Sequence, residues 1–313
     1  ADHPRPSPIG AHPVTALAEF VMRGRFQALL VAVAGSGSLL FCWISAAVVA
    51  LVTLRKGVGA GAWLLMWALL PAGVLAISFG DSGPALLLLG TAALALVLRA
   101  TVSLALAVLA SVALGIVTAI GMLAFGDAML AQMVAFFGDF LASMEEQLSA
   151  NSPEPVQLAR PTAVQIAGMM GAGNALLSAA CLMLARYWQA ALYNPGGFGG
   201  EFRALRYPAG LATALALATV ALASLGIEYR TWAMICAVPL TFAGLALMHA
   251  RAAVRGQGRG WLTVFYVAWL VFDPVKLFVV GYALADSWID FRQRWTPPGG
   301  GPPADAGGPD QKD

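Results

Sequence analysis

A succession of long apolar runs, parted by short stretches that hold most of the arginines, leaves this chain few folds to choose from. The uninterrupted runs cover residues 60–79, 83–98, 101–123, 162–185, 209–227 and 231–250. At 1.5 Å of rise per residue, about 20 apolar residues cross the hydrocarbon of a bilayer. Inside that hydrocarbon no water can satisfy a backbone N–H or C=O, so a spanning segment must pair its own, as a helix does. With 59% hydrophobic and 11% charged residues, the chain departs widely from the soluble norm of about 25% charged. The expected fold is therefore all-α: a polytopic transmembrane bundle over residues 23–295 with about 8–10 membrane segments.

Two further apolar regions are interrupted. Residues 26–54 break at Gly35 to Ser38, and residues 260–285 break at Asp273, Pro274 and Lys276. Each reads either as one long helix or as a hairpin of two short ones. Lysine and arginine collect on the cytoplasmic side of membrane proteins. If both regions are hairpins, Arg23, Arg25, Arg55, Lys56, Arg99, Arg186, Arg203, Arg206, Arg251, Arg255, Arg259, Arg292 and Arg294 share one side. Single spans would move both outer arginine pairs across. Charge favours hairpins, with both termini cytoplasmic. Residues 23–35 also have the outline of a signal peptide, although the apolar stretch is short and another comes at once after it.

Residues 1–22 read as an N-terminal cytoplasmic tail. Residues 124–160 form an external connector, amphipathic around Phe136–Leu148 and broken by Pro153 and Pro155. Residues 296–313, rich in proline, glycine and aspartate, bury too little apolar surface to offset their ordering entropy and read as a disordered tail. A net charge of +2 without a basic run gives no footing for nucleic acid. Cys42, Cys181 and Cys236 lie in apolar runs, the three histidines are scattered, and no catalytic or metal-ligand constellation is visible. No cofactor and no metal are implied.

The polar stretches between spans are where function is sought. Arg186, Tyr187 and Trp188 stand where a span leaves lipid, as an aromatic anchor would. Asn194, Pro195, Gly196, Gly197, Gly199 and Gly200 argue against regular helix. Arg203 and Arg206, three apart, would share a face if helical. Bare glycine amides beside two guanidinium groups suit an anion or an acidic partner. The same residues also suit a tight cytoplasmic turn meeting anionic headgroups. Asp286, Trp288, Asp290 and Arg292 close the last apolar run. Their expected role is helix termination and ion pairing, in the sharpest form with Arg203 or Arg206. Within the spans, Gln165 and Asn174 are polar positions among glycines, and Asp273 with Lys276 form a charged pair that must reach an interface or a partner. Membrane lipid, a membrane or cytoplasmic protein, and a small solute are the candidate partners.

Residues 185–206 and 284–292, with the hairpin before Val52–Gly57, resemble the YybS-like family of bacterial multi-pass membrane proteins. That family is more distantly similar to the substrate-binding S components of energy-coupling-factor transporters. The resemblance implies an integral protein of a bacterial cytoplasmic (inner) membrane, related to transport, that binds a small solute and acts with a partner. S components dock through small residues, and Ala28 and Ala32 have that spacing. Two other roles stay open: a membrane scaffold docking proteins through residues 186–208 and 286–294, and a lipid-handling protein.

Overall fold

The computed structural model describes residues 13–150 and 156–295. The tail expected over 296–313 and the break around Pro153 and Pro155 lie outside them. Among the described residues every regular element is helical. In order these are α1 (Pro13–Arg23), α2 (Arg25–Ser36), α3 (Cys42–Lys56), α4 (Val58–Phe79), α5 (Gly83–Thr101), α6 (Leu104–Phe125), α7 (Asp127–Ser149), α8 (Ala163–Tyr193), α9 (Gly197–Arg203), α10 (Ala209–Ser224), α11 (Arg230–Val254), α12 (Arg259–Val271), α13 (Asp273–Ile289) and α14 (Phe291–Trp295). Helices α4, α5, α6, α8 and α11 are long and apolar enough to cross a membrane, with the bent pair α12–α13 a sixth candidate. The protein is membrane-embedded and multi-pass. Helix α10, at 16 residues, is shorter.

The expected N-terminal tail is in part a helix. Ala18 and Val21 of α1 are fully buried, because apolar residues at positions 17, 18, 21 and 22 share a face.

Helices α2 and α3 form a closed hairpin rather than one span. The Lys56 ammonium reaches the Met22 carbonyl at 3.5 Å, so the start of α2 meets the end of α3. The Ser45 hydroxyl donates across to the Ala32 carbonyl. The turn does not travel the full bilayer. Twelve residues of α2 rise only about 18 Å, and Gly37 lies against Pro71, in the middle of α4. Backbone at such a depth needs internal partners, and several amides of the turn have them. The Gly37 amide donates to Val33, Ser38 to Gly35, and Cys42 to Ser38. The α3 exit is closed by Arg99, whose guanidinium donates to the carbonyls of Thr53 and Leu54.

Helix α3 is the most enclosed element, with Ser45 to Thr53 all buried. Helices α8 and α11 form the rest of the centre. Small residues bring them together, as expected where lipid supplies no hydrophobic drive. A Cβ on Gly115 of α6 would meet Ile235 at 2.6 Å and the Gly171 carbonyl at 2.9 Å. Gly244 of α11 lies similarly tight against Val279 of α13.

At the other end of the chain, α12 and α13 turn through 112° at Phe272. The interruption read at Asp273 and Pro274 is thus a sharp reversal, in keeping with a hairpin. Pro274 starts the second helix, where its missing donor costs nothing.

The hairpins gather the cations. Arg25, Lys56, Arg99, Arg186, Arg206 and Arg292 lie at one end of the bundle, the basic end. The opposite, acidic end carries Asp81, Asp127 and the Glu145–Arg160 pair, 3.4 Å apart. There α7 lies, with Leu130 buried and Phe136 and Phe140 exposed.

Candidate functional site

Two places bring the candidate residues together. The first is at the basic end, where the connection after α8 meets the end of α13.

Helix α8 continues to Tyr193, past the apolar run that suggested an end at residue 185. Trp188 is therefore not an interfacial anchor: it is 3% exposed, within the core. Tyr187 is exposed and stands edge-on to Phe198, 6.0 Å between centroids. Asn194 ends the helix, and Gly196 at φ 85° reverses the chain. That reversal comes directly after Pro195 and needs the left-handed dihedrals open to glycine.

The glycine stretch then forms α9, where the sequence suggested no regular helix. Phe198 and Phe202, one turn apart, stack at 5.8 Å and anchor this short helix; Phe202 also meets His249 of α11. Aromatic packing thus overrides the weak propensity of glycine. The Gly199 backbone lies beside the Arg203 guanidinium, whereas Gly197 sits against Asn194 and Gly200 is open.

Arg203 and Arg206 do not share a helical face, because α9 ends at Arg203. Arg206 turns to the end of α13, donating to Asp290 at 2.5 Å and to the Ser287 carbonyl at 3.4 Å. Asp286, 1% exposed, faces Arg292 at 3.2 Å and Arg206 at 4.0 Å, and accepts from the Phe291 amide. Arg292 donates to the carbonyls of Arg203 and Leu205. Arg186 pairs with Glu201 at 2.7 Å. The result is a clasp: two carboxylates from one segment, Asp286 and Asp290, and two arginines, Arg206 and Arg292, with backbone carbonyls taking further donors; the Arg186–Glu201 pair separately ties α8 to α9. A buried carboxylate needs such partners, since an unpaired one costs several kcal/mol. The Arg206 hydrogen bond holds the Asp290 carboxyl below its ordinary value of 3.8, assisted by the Gln293 amide. Trp288 lies to one side, exposed, donating to Thr213 at 3.0 Å. Of the arginines proposed for docking, Arg203 alone is exposed and without an ion pair among the described residues.

The intramembrane candidates separate. Gln165 is not within the bundle. It completes a capping box with Thr162 at the start of α8 and donates to the Ile227 carbonyl at 3.1 Å. Asp273 and Lys276 pair with each other at 2.7 Å beside the α12–α13 bend. Asn174 is 9% exposed and sits between α8 and α6. Its amide donates to the Thr118 hydroxyl at 2.9 Å, and its carbonyl accepts from Ser178 at 3.2 Å.

Asn174 opens onto the second place, a cavity of about 670 Å³ toward the acidic end. Leu86, Leu89, Leu114, Met122 and Phe125 supply an apolar wall, and Ala128 and Met129 of α7 cover the outer side. Gly90 permits this enclosure: a Cβ there would strike Ser178 and Leu114 at 2.6 and 2.8 Å. The polar floor is Asn174 with Thr118; one amide hydrogen and the Thr118 hydroxyl hydrogen have no partner among the described residues. Such a lining is chemically matched to a molecule that is mostly apolar with one polar group. Thr118, Ser178 and Gly90 escaped the sequence. Asn174 and Ser178 are four apart on a helix, a signal that was readable; Thr118 comes from another helix and was not.

Among the described residues no group of three or more histidines, cysteines or carboxylates lies close enough to hold a metal ion. Comparison of the chain with family models, curated proteins and solved structures gave no match.

Proposed function

We propose that this protein is an integral protein of a bacterial cytoplasmic (inner) membrane that binds a small, mainly apolar solute from the external side, in a transport-related role with a partner. The observation that carries this reading is the cavity of about 670 Å³ with the Asn174–Thr118 pair as its polar floor. Its volume falls within the roughly 300–1,000 Å³ usual for small-molecule sites. The resemblance to the YybS-like family, and through it to S components, supports the same direction. The concentration of arginines at one end supports a cytoplasmic placement for that end, which puts the cavity near the outer face.

The wall limits the substrate class. A strongly hydrophilic solute would leave its donors and acceptors against leucine and methionine, at about 1–3 kcal/mol each. One carbonyl or hydroxyl, by contrast, can meet the free hydrogens of Asn174 and Thr118.

The test is native mass spectrometry of the gently extracted protein beside Asn174→Leu. The substitution keeps the volume, and the hydroxyls of Thr118 and Ser178 can turn to their own helix carbonyls. A small molecule that accompanies the native protein and is lost, or bound about tenfold more weakly, in Asn174→Leu is the expected result. Equal retention by both proteins would move the ligand, and the function, away from this cavity.

A further inference from the structure

A second cavity, of about 480 Å³, lies at the basic end between α2, α3 and α4. Arg25 and Lys56 stand at its edge, and Val52, Ala60, Trp63 and Leu64 form its wall. The α2–α3 hairpin creates this arrangement. Arg25 is the first residue of α2 and Lys56 the last of α3, and closing the hairpin brings both cations to the lining of one cavity.

Among the described residues, neither Arg25 nor Lys56 has a carboxylate within ion-pair reach. Among the described residues the Lys56 ammonium donates to the Met22 carbonyl, at 3.5 Å. The Arg99 guanidinium, another positive charge, is committed to the end of α3. Two cations converging on one cavity repel each other unless an anion joins them.

The wall says which anion. Inward from the cations the lining is apolar: Ala60 in the first turn of α4, then Trp63, 39% exposed, and Leu64, with Val52 one turn back along α3. Farther along α4, Met66, Trp67 and Leu70 face outward. A free phosphate ester would have no use for that apolar floor. An amphiphile with an anionic head and a hydrocarbon chain matches both halves, and indole rings commonly mark the headgroup level. Basic pockets between membrane helices take phosphate headgroups on the same principle.

We propose that this cavity is a binding site for an anionic phospholipid. The phosphodiester lies between Arg25 and Lys56, and one acyl chain runs along Val52, Leu64 and Trp63. A zwitterionic lipid fits less well, because its own cation would approach the same two charges. This site is separate from the solute cavity and does not depend on it.

The experiment uses the full chain, delipidated in detergent and titrated with phosphatidylglycerol or phosphatidylcholine of equal chain length, with bound lipid counted by native mass spectrometry. Two variants are compared: Arg25→Gln with Lys56→Gln, and Gly59→Phe. The second fills the cavity without altering charge, and Gly59 has no neighbour within 4 Å of an added Cβ. The expected result is one phosphatidylglycerol bound about tenfold more weakly by each variant, with phosphatidylcholine unchanged. Equal phosphatidylglycerol binding by wild type and both variants would overturn the site. Glycerol 1-phosphate binding as tightly as the lipid would overturn the lipid assignment in favour of a soluble phosphate ester. An equal loss in Arg203→Gln would reduce the effect to general surface charge. An unchanged thermal unfolding midpoint and elution volume of both variants in the same detergent shows that the fold is intact.

Discussion

Asp286 and Asp290 show how far single residues can be read from sequence. Their position after a span, beside Arg292 and across from Arg203 and Arg206, led to an ion-paired helix end, and Arg206 takes that place. Opposite charges at the ends of spans have few other partners, so this inference needed little geometry. The role of Arg292 as donor to the carbonyls of the preceding connection was not legible, because it depends on α9 bringing residues 203–205 beside α14. The pairing makes the clasp pH-dependent in a defined sense. The Asp290 carboxyl is held below its ordinary value by Arg206, so its contribution is complete above about pH 4. It is lost only as the pH falls through the lowered value. Hydrogen exchange of residues 203–207, corrected for the intrinsic rate, should show constant protection from pH 7 to about 4 and a fall below that. Asp290→Asn should show reduced protection throughout. A fall centred between pH 5 and 6 would mean that another group governs the clasp.

Among the elements, apolar length predicted the long spans and misjudged the segments at their ends. Helix α8 overran its apolar window by eight residues, Arg186 to Tyr193, because Trp188 and Ala190 are buried there and extend its packed face beyond the lipid signal. Helix α9 formed despite its glycines because two phenylalanines one turn apart had a hydrophobic surface to meet. Both departures come from tertiary contacts that a window of sequence does not contain. The close approach of α6, α8 and α11 was half legible: glycines at 168, 171 and 173 signalled close packing without naming its partner. The partner makes Gly171 a sharp test. An added Cβ there would meet the Gly115 carbonyl and Ala119, backbone and a side chain that cannot step aside. Gly171→Leu should destabilise the bundle by about 3 kcal/mol or more. Gly173→Leu, where nothing lies within 4 Å, should change it little. Thermal unfolding of the two variants in the same detergent checks this; similar midpoints would contradict the packing.

For the molecule as a whole, the all-α bundle and the two interrupted ends came from hydropathy and charge, whereas the depth of the first hairpin required the contact between Gly37 and Pro71. Placement in the membrane can be checked by labelling intact cells with a membrane-impermeant maleimide. Asp139→Cys on α7 should react from outside, and Gly200→Cys on α9 only after permeabilisation. The reverse pattern would invert the molecule. The first hairpin carries a consequence for the surrounding lipid. Helices α2 and α3 occupy area near the basic surface, but their turn stops at mid-depth, so they add nothing to the cross-section at the far surface. The hairpin itself therefore widens the bundle on the basic side only. A wedge of that form relieves bending stress where the leaflet holding its wide end is stretched, and it resists the opposite bend. Unequal density of the labelled protein between curved tubes and the flat membrane of one vesicle is the expected consequence, independent of any ligand; uniform density would contradict it.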